Sequence, residues 1–427
     1  MRRYIIIIFA AFLSLSVIAQ NVLEELQEDP MKAGSNYYHY PTPTSALTPA
    51  PKGKKPFYIS HYGRHGSRYL NNQREYDYPY TTLLRADSLG KLSVTGKEML
   101  RRVTLLREEA NLRLGELTPL GIQQHKEIAR RMYSRFPEVF KGDAEVKARS
   151  TVVIRCILSM ENALLELKAC NPRLRINHDA SQRDMYYMNQ QDYNLFGMRQ
   201  RKEVQDVFKA YCDKHSVHQT AMDRLFNDTV YAHHEVDEYE LNRILFKLAS
   251  SAQGTELGKQ FSLFDIYTKE ELYHNWLQAN AYWYIMAGIC PQTGGKSPFT
   301  QRNLLRKIIE EADSAIARKG SRADLRFGHE TVVLPLTCLL DINHFGSKHE
   351  ELEQLESQGW INYKVYPMAC NIQIVFYRKN EKDQDVLLKV LLNENEATLP
   401  LPTDCAPYYH WSDFRKFYLE KLSTYKE

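Results

Sequence analysis

"AEVKARSTVVIRCILSMENALLEL", residues 144–167, changes its period partway along. From Ala144 to Thr151 polar and apolar residues alternate, the pattern of a strand with one buried face, and from Val152 onward the apolar residues fall at helical spacing. A strand therefore hands over to a helix across a turn at Ser150 and Thr151. Upstream the same event is read once already. Phe57 to Ser60 is a short apolar strand, the loop "ISHYGRHGSRYL" (59–70) lies where it ends, and "LGELTPLGIQQHKEIARRMYSRFPEVF" (114–140) supplies a helix. That helix carries Ile122, Ile128, Ala129, Met132 and Phe136 on its apolar face and stops at Pro137. Downstream, "TQRNLLRKIIEEADSAIARKG" (300–320) predicts an amphipathic helix with Leu304, Leu305, Ile308, Ile309, Ala312 and Ile316 on one side and Gly320 at its close. "ADLRFGHETVVLPLTCLL" (323–340) repeats strand, turn and helix, and "NIQIVFYR" (371–378) and "DVLLKVLL" (385–392) add two strand-like runs. Alternating strands and helices of this kind predict an α/β fold, a central sheet flanked by helices.

Residues 171–300 read differently. They are rich in Tyr, Asn, Gln and His, their strand signals are weak, and helical stretches such as 269–288 have irregular apolar faces. This stretch is expected to be an inserted, mostly α-helical cap that divides the core into 57–170 and 301–427. Residues 20–56 end in the proline-rich "PTPTSALTPAPKGKKP" (41–56) and are read as an extended N-terminal arm. Residues 1–19 read as a signal peptide, because Arg2 and Arg3 precede an uncharged apolar run from Tyr4 to Val17, with Ala19 at a plausible cleavage position. The run is shorter than the roughly 18 to 20 apolar residues a membrane span needs. Export to a periplasmic or secreted location without a stable membrane anchor is the expectation.

At 427 residues the chain exceeds one ordinary domain, and its 43% apolar and 25% charged residues are those of a folded globular protein. A net charge of +4, falling to +2 if Arg2 and Arg3 are removed, argues against nucleic acid as a partner. The seven cysteines, at 156, 170, 212, 290, 338, 370 and 405, form no CxxC pair, which disfavours a zinc ribbon or a dithiol redox motif. Disulfide pairing and oligomeric state stay open.

Three groups of reactive residues fall at the carboxyl ends of presumed strands, where open α/β sheets place their ligands. They are Arg64, His65 and Arg68 after the first strand, Arg155 in the helix after "KARST", and His329 with Glu330 after "LRF". Two guanidinium groups beside one imidazole push it towards its neutral form, so an anion is expected among them. Three arginines can grip the oxygens of a phosphoryl group through paired, charge-assisted hydrogen bonds. Neutral His65 is then placed to attack phosphorus, and Glu330, protonated, to supply the leaving oxygen with a proton. The scheme calls for no metal and no cofactor, and no HExxH motif is present. Arg149 is the competing cation, but its place on the strand reads as structural. His61, His125 and the pair His233 and His234 read as packing or surface residues.

The run "GRHGSR", the segment "GELTPLGIQQH" with its trailing "RFPEVF", "RSTVVIRCILS" and "LRFGHETVVLPL" together resemble, in order, the histidine acid phosphatase branch of the histidine phosphatase superfamily. "AGSNYYHYPTP" near the start and "LLNENEATLPLP" near the end are most similar to bacterial relatives of the multiple inositol polyphosphate phosphatases and phytases. The resemblance implies a phosphoglycerate mutase-like core with a helical cap that shapes substrate choice. It implies His65 as the nucleophile, Arg64, Arg68 and Arg155 as phosphate ligands, and His329 with Glu330 in the distal part of the site, with His329 both a phosphate ligand and a catalytic group. Two departures stand out. Many members of the family carry His-Asp where this chain has His329 and Glu330, and the inositol polyphosphate group carries His-Ala-Glu, whose carboxylate position is taken here by Thr331. The proline that often follows the second arginine is missing, with Tyr69 and Leu70 in its place.

The expected partner is a small-molecule phosphate ester, with inositol polyphosphates such as phytate ahead of sugar phosphates, and an inactive phosphate-binding relative as a further alternative. A heavily phosphorylated substrate needs a second ring of cations, for which Lys54, Lys55, Arg74, Arg85 and Arg183 are the candidates. Catalysis is expected on the acid side of neutrality, because Glu330 must be protonated.

Overall fold

In the computed structural model, which describes residues 21–43, 45–218 and 220–426, the chain builds one eight-stranded sheet. The expected signal peptide lies outside the described residues. The strands are β1 (Lys55–Arg64), β2 (Glu145–Ser150), β3 (Arg175–Ala180), β4 (Arg322–Gly328), β5 (Asn371–Arg378), β6 (Leu387–Leu392), β7 (Asn395–Ala397) and β8 (Tyr409–His410). Their order is β3-β2-β4-β1-β5-β6-β7, with β8 beside β6. β3, β2, β4 and β1 are mutually parallel, and β5 and β6 follow as antiparallel neighbours. β1 is longer than the Phe57–Ser60 expectation and is buried at every position except Lys55. Its central place explains this, since a strand covered on both faces cannot show the alternation that marks a half-buried one.

Successive strand residues feed opposite faces of the sheet, as the pleat requires. Ile59, Val146, Ala148, Leu325 and Val375 pack against Ala129, Met132, Met160 and Leu164 of the helices Pro119–Arg135 and Ile154–Cys170. Tyr58, Ile374 and Phe376 face the other way, onto Leu304, Leu305 and Ile308 of Arg302–Ala317 and Val332 and Val333 of Glu330–Leu340. Each of these buried Val, Leu, Ile, Met and Phe side chains contributes roughly 1.5–3 kcal/mol.

A third apolar cluster forms the cap, and its makeup is broader than the 171–300 insertion. Leu83, Met99 and Val103 come from Arg74–Ser88 and Val94–Glu109, which precede β2, and they pack on Leu241, Leu245 and Trp276 of Glu238–Ala252 and Lys269–Ala287. Val22 and Leu26 of the arm join the same cluster. The arm is therefore not simply extended. Asn21 caps the helix Val22–Glu28 by accepting from the Leu23 N–H, and Asp29 caps the 3-10 turn Pro30–Tyr37 by accepting from the Met31 N–H. At the other boundary, Arg175–Ala180 lies within the stretch read as cap but pairs with β2 as the edge of the sheet. Its sequence, RINHDA, has little apolar character, and an edge strand with most of its side chains exposed needs none.

Candidate active site

β1, β4 and β2 lie side by side with Arg64 opposite Gly328 and Ser150 opposite Phe327, so their carboxyl ends share one edge. The residue after each strand is tied to its neighbour. The His65 N–H donates to the Gly328 carbonyl at 2.9 Å, and the Thr151 N–H to the Phe327 carbonyl at 3.0 Å. His65, Thr151 and His329 thus hang over the same point. The loop that carries His65 is clamped from the side by the first turn of Pro119–Arg135. Thr118 and Gln124 bind Ser67, the former through its N–H to the Ser67 carbonyl at 2.9 Å, the latter by accepting the Ser67 N–H at 2.9 Å. The backbones approach so closely that a Cβ on Gly66 would overlap the Gly121 carbonyl, and one on Gly121 the Ser67 carbonyl. Glycine at both positions is a packing requirement.

His65 is buried, and its Nδ1 stands 2.8 Å from the Gly66 carbonyl oxygen, which can only accept. Nδ1 is therefore the protonated nitrogen, and the lone pair sits on Nε2, which faces Glu330 Oε2 at 3.9 Å. Burial, then Arg64, Arg68, Arg155 and His329, hold the imidazole well below its ordinary pKa, so it is neutral. Arg64 is fully buried at the end of β1 and donates from Nη1 to the carbonyls of Asn36 and Tyr366. Its Nε lies 3.0 Å from Glu330 Oε2 at an angle that leaves the N–H without a hydrogen bond, and its Nη2 has no partner. Arg68 donates from Nη1 to the Tyr69 carbonyl and stacks over the Tyr37 ring, but its Nε is also unpartnered, as is that of Arg155. Buried N–H groups of this kind normally find acceptors, so these arginines form a cradle for an anion.

His329 caps the N-terminal end of Glu330–Leu340, with Nε2 3.2 Å from Thr151 Oγ1 and its ring 5.8 Å from that of His65. Burial and the arginines bring its pKa down to about 4, against the opposing pull of Glu330. Glu330 is 13% exposed. Burial raises its pKa, but Arg64, Arg68 and His329 outweigh that and bring it down to about 2, so the carboxyl is ionised in the ligand-free site. His65, His329 and Glu330 could offer three ligand atoms within 4.8 Å of one another to a metal ion. The three guanidinium groups around them make the spot repulsive to a cation and attractive to a phosphate. Asp404, Cys405 and His410 form a second such group, at the opposite end of the sheet, where His410 pairs with the start of β6.

The cavity over these residues measures about 420 Å³ and brings together His65, Arg68, Arg155, His329 and Glu330, while Arg64 lies fully buried behind Glu330, with its Nε 3.0 Å from Glu330 Oε2. Arg149 is engaged elsewhere, with the Ala148 carbonyl and with Asn177 and Asp184. His61 and His125 are buried against Phe327, and His233 pairs with Glu238 on the surface. The proposed second ring of cations is not at the site: Lys54 pairs with Asp383 and Asp385, Arg74 with Glu240, Arg85 with Glu235 and Arg183 with Asp179 and Asp184. Lys55 sits at the far end of β1. Instead the cap contributes Arg199, and the arm contributes Asn36, whose Nδ2 reaches Glu330 Oε1 at 3.4 Å, and Tyr37 beneath Arg68. The arm's approach is fixed by Ser35, held at φ 55° between Tyr366 and Asn362. The only trace of these contacts in the sequence is the polar, aromatic run "AGSNYYHYPTP".

The pattern that defines the histidine phosphatase superfamily, branch 2, matches residues 63–393. Among solved structures, the multiple inositol polyphosphate phosphatase of Bifidobacterium longum in complex with inositol hexasulfate has a TM-score of 0.73 at 18% identity, over 90% of this chain and 97% of that one. The phytase of D. castellii has a TM-score of 0.67 at 13% identity, over 93% of this chain and 86% of that one. The Hafnia alvei phytase has a TM-score of 0.51 at 13% identity, over 87% and 98%. At these identities the likeness is one of fold. No curated protein shows significant similarity to the chain.

Proposed function

The chain belongs to the histidine phosphatase superfamily, branch 2, and from that premise we propose that it is a phosphomonoesterase that passes the phosphoryl group through His65. The observation that carries the reading is the Nδ1–H to Gly66 bond, which aims the Nε2 lone pair into a cradle of unpartnered guanidinium N–H groups. In the first step Nε2 attacks phosphorus and the bond from phosphorus to the ester oxygen breaks. Its electron pair goes to the leaving oxygen, which takes the proton of the Glu330 carboxyl and departs as an alcohol. Arg64, Arg68 and Arg155 bear the charge on the non-bridging oxygens, with His329 beside them. The Gly66 carbonyl supports the positive charge that the phosphorylated imidazole gains. In the second step Glu330, now a carboxylate, takes a proton from water, the oxygen attacks phosphorus, and the nitrogen–phosphorus bond returns its pair to Nε2.

Inositol polyphosphates such as phytate are the substrates this reading favours, with support from a neighbour of the same fold that binds inositol hexasulfate. Sugar phosphates and other simple monoesters are the second reading, favoured by the commitment of Lys54, Arg74, Arg85 and Arg183 to carboxylates away from the cavity. Export is part of the proposal and rests on Arg2, Arg3 and the apolar run after them. No helix among the described residues is long and apolar enough to cross a membrane. Phosphate release from phytate, glucose 1-phosphate and p-nitrophenyl phosphate between pH 4 and 7 tests the reading. Phytate is expected to have the highest kcat/KM, equal or higher values for glucose 1-phosphate transfer the assignment to sugar phosphates, and no release from any of the three removes the phosphatase activity.

A further inference from the structure

The run DCAPYYH (404–410) carries three different metal-ligating side chains, and Asp404, Cys405 and His410 each bring one ligand atom within 4.8 Å of the others. They gather far from the phosphate cradle. His410 pairs with Leu387, which lies level with Tyr377 and through it with Pro56, at the amino end of β1. His410 Nε2 stands 3.1 Å from Asp404 Oδ1. Two ligands about 2.0–2.1 Å from a tetrahedral zinc ion stand roughly 3.3 Å apart, so this pair already has the spacing such an ion needs. The other ring nitrogen, Nδ1, lies 2.7 Å from Asp385 Oδ1, and Lys54 Nζ anchors Asp385 Oδ2 at 3.0 Å. A carboxylate in that place turns the ring, leaves the lone pair on Nε2 and makes the imidazole a stronger ligand. Cys405 is set by its own loop, its N–H donating to Thr403 Oγ1 at 3.2 Å and its carbonyl accepting the Tyr408 N–H at 2.9 Å. The Asp404 side chain is 81% exposed and free to close on the other two. Asp383, Asp385 and Asp404 outnumber Lys54, so the local field draws a cation, the reverse of the field around His65.

We propose that Asp404, Cys405 and His410 bind a zinc ion, with water in the fourth position and Asp385 orienting His410 from behind. A thiolate and an imidazole beside one carboxylate suit zinc, whereas magnesium and calcium take oxygen ligands. The ion takes the place of the hydrogen bond between His410 Nε2 and Asp404, and the Cys405 thiol gives up its proton to solvent on binding. Zinc there joins the loop 402–408 to the start of the helix Trp411–Ser423 and, through Asp385, to the turn that precedes β6. Its role is that of a staple for the C-terminal segment, independent of the chemistry at His65. The competing arrangement is an imidazolium held between two carboxylates, in which Cys405 has no part.

The test uses the untagged whole protein, stripped of metal by a chelator, in calorimetric titration with Zn²⁺ and with Mg²⁺. One zinc ion per chain is expected, bound at least about 100-fold more tightly than magnesium. Loss of the group behind a ligand costs roughly 10- to 100-fold in affinity, so Asp385→Asn is expected to weaken zinc by that factor, and Cys405→Ser and His410→Ala by at least about 100-fold. Co²⁺ in place of Zn²⁺ gives a thiolate-to-metal absorption band that Cys405→Ser lacks. Zinc raises the Tm of the parent and leaves that of Cys405→Ser nearly unchanged. His65→Ala keeps the parental zinc stoichiometry, which separates this site from the group formed by His65, His329 and Glu330. No zinc binding by the parent, parental zinc affinity in Cys405→Ser, magnesium bound as tightly as zinc, or loss of binding in His65→Ala would overturn the proposal. If His410→Ala does not fold, Cys405→Ser, which exchanges a single atom, decides.

Discussion

The proposed mechanism gives Glu330 two proton-transfer roles, and its surroundings in the ligand-free site favour only one. With a pKa of about 2 it is a ready carboxylate for the hydrolytic step and a poor acid for the first. A dianionic phosphate would draw Arg64 and Arg68 to its own oxygens and place negative charge near the carboxyl, and both effects raise the pKa in the complex. Glu330 is therefore expected to become a proton donor only when substrate is bound, and kcat falls as pH rises through that raised value. Glu330→Gln is expected to slow alkyl phosphates by about 10²-fold or more, and p-nitrophenyl phosphate, whose leaving group needs little protonation, far less. Equal losses on both would make Glu330 a residue that only orients His329. At this scale Arg64, His65, Arg68, Arg155, His329 and Glu330 were legible as candidates because each lies at or just beyond the carboxyl end of a strand, and the structure gathers them. Asn36, Tyr37 and Arg199 were not. They reach the site through the long-range folding of the arm and cap, and nothing local distinguishes Arg199 from its neighbour Arg201.

At the scale of elements, the site depends on the contact between the His65 loop and the first turn of Pro119–Arg135. The helix itself follows from Thr118 as cap, Pro119 at its first position and the apolar period behind them. Its use as a clamp was not legible, since the glycines that allow it look like ordinary turn residues until the two backbones are seen together. Gly121→Ala is expected to shift the loop, lowering kcat/KM by roughly 10²-fold through displacement of His65 and stability by about 1–3 kcal/mol through overpacking. Steady-state kinetics and denaturant unfolding check this, and parental values of both would show that the clamp does not position His65. The cap shows the same limit of sequence reading. Arg74–Ser88 and Val94–Glu109 were not read as part of the cap, because nothing local in their sequences says whether they cover the sheet or meet Glu238–Ala252.

Over the whole molecule, buried neutral histidines couple stability to pH. His61 is lowered to about 3, His125 to about 4 and His329 to about 4, in each case first by burial. Each binds a proton more weakly folded than unfolded, so its contribution to stability is present above about 6.5 and is lost as pH falls through 6.5 towards the folded value. Glu330, also lowered, adds a loss in the same direction below about 4.5. The ligand-free Tm is therefore expected to fall steadily between pH 6.5 and 4, and inorganic phosphate in the cradle to restore part of it. A Tm unchanged over that interval would mean that these histidines are not held neutral by the fold. At this scale the α/β core was legible, because β2, β4 and β5 and the helices after the first two carry their own periods. The three-piece cap and edge strand β3 were not, because their placement is decided by contacts between distant parts of the chain.

The central claim is a covalent bond between phosphorus and His65 Nε2. Rapid quenching in base of a reaction with a radiolabelled phosphate ester, followed by peptide mapping, measures it directly. The account predicts acid-labile, base-stable label on the peptide carrying His65, and none in His65→Ala, whose turnover falls by at least about 10³-fold. Label on another side chain, or hydrolysis by His65→Ala at the parental rate, would contradict it.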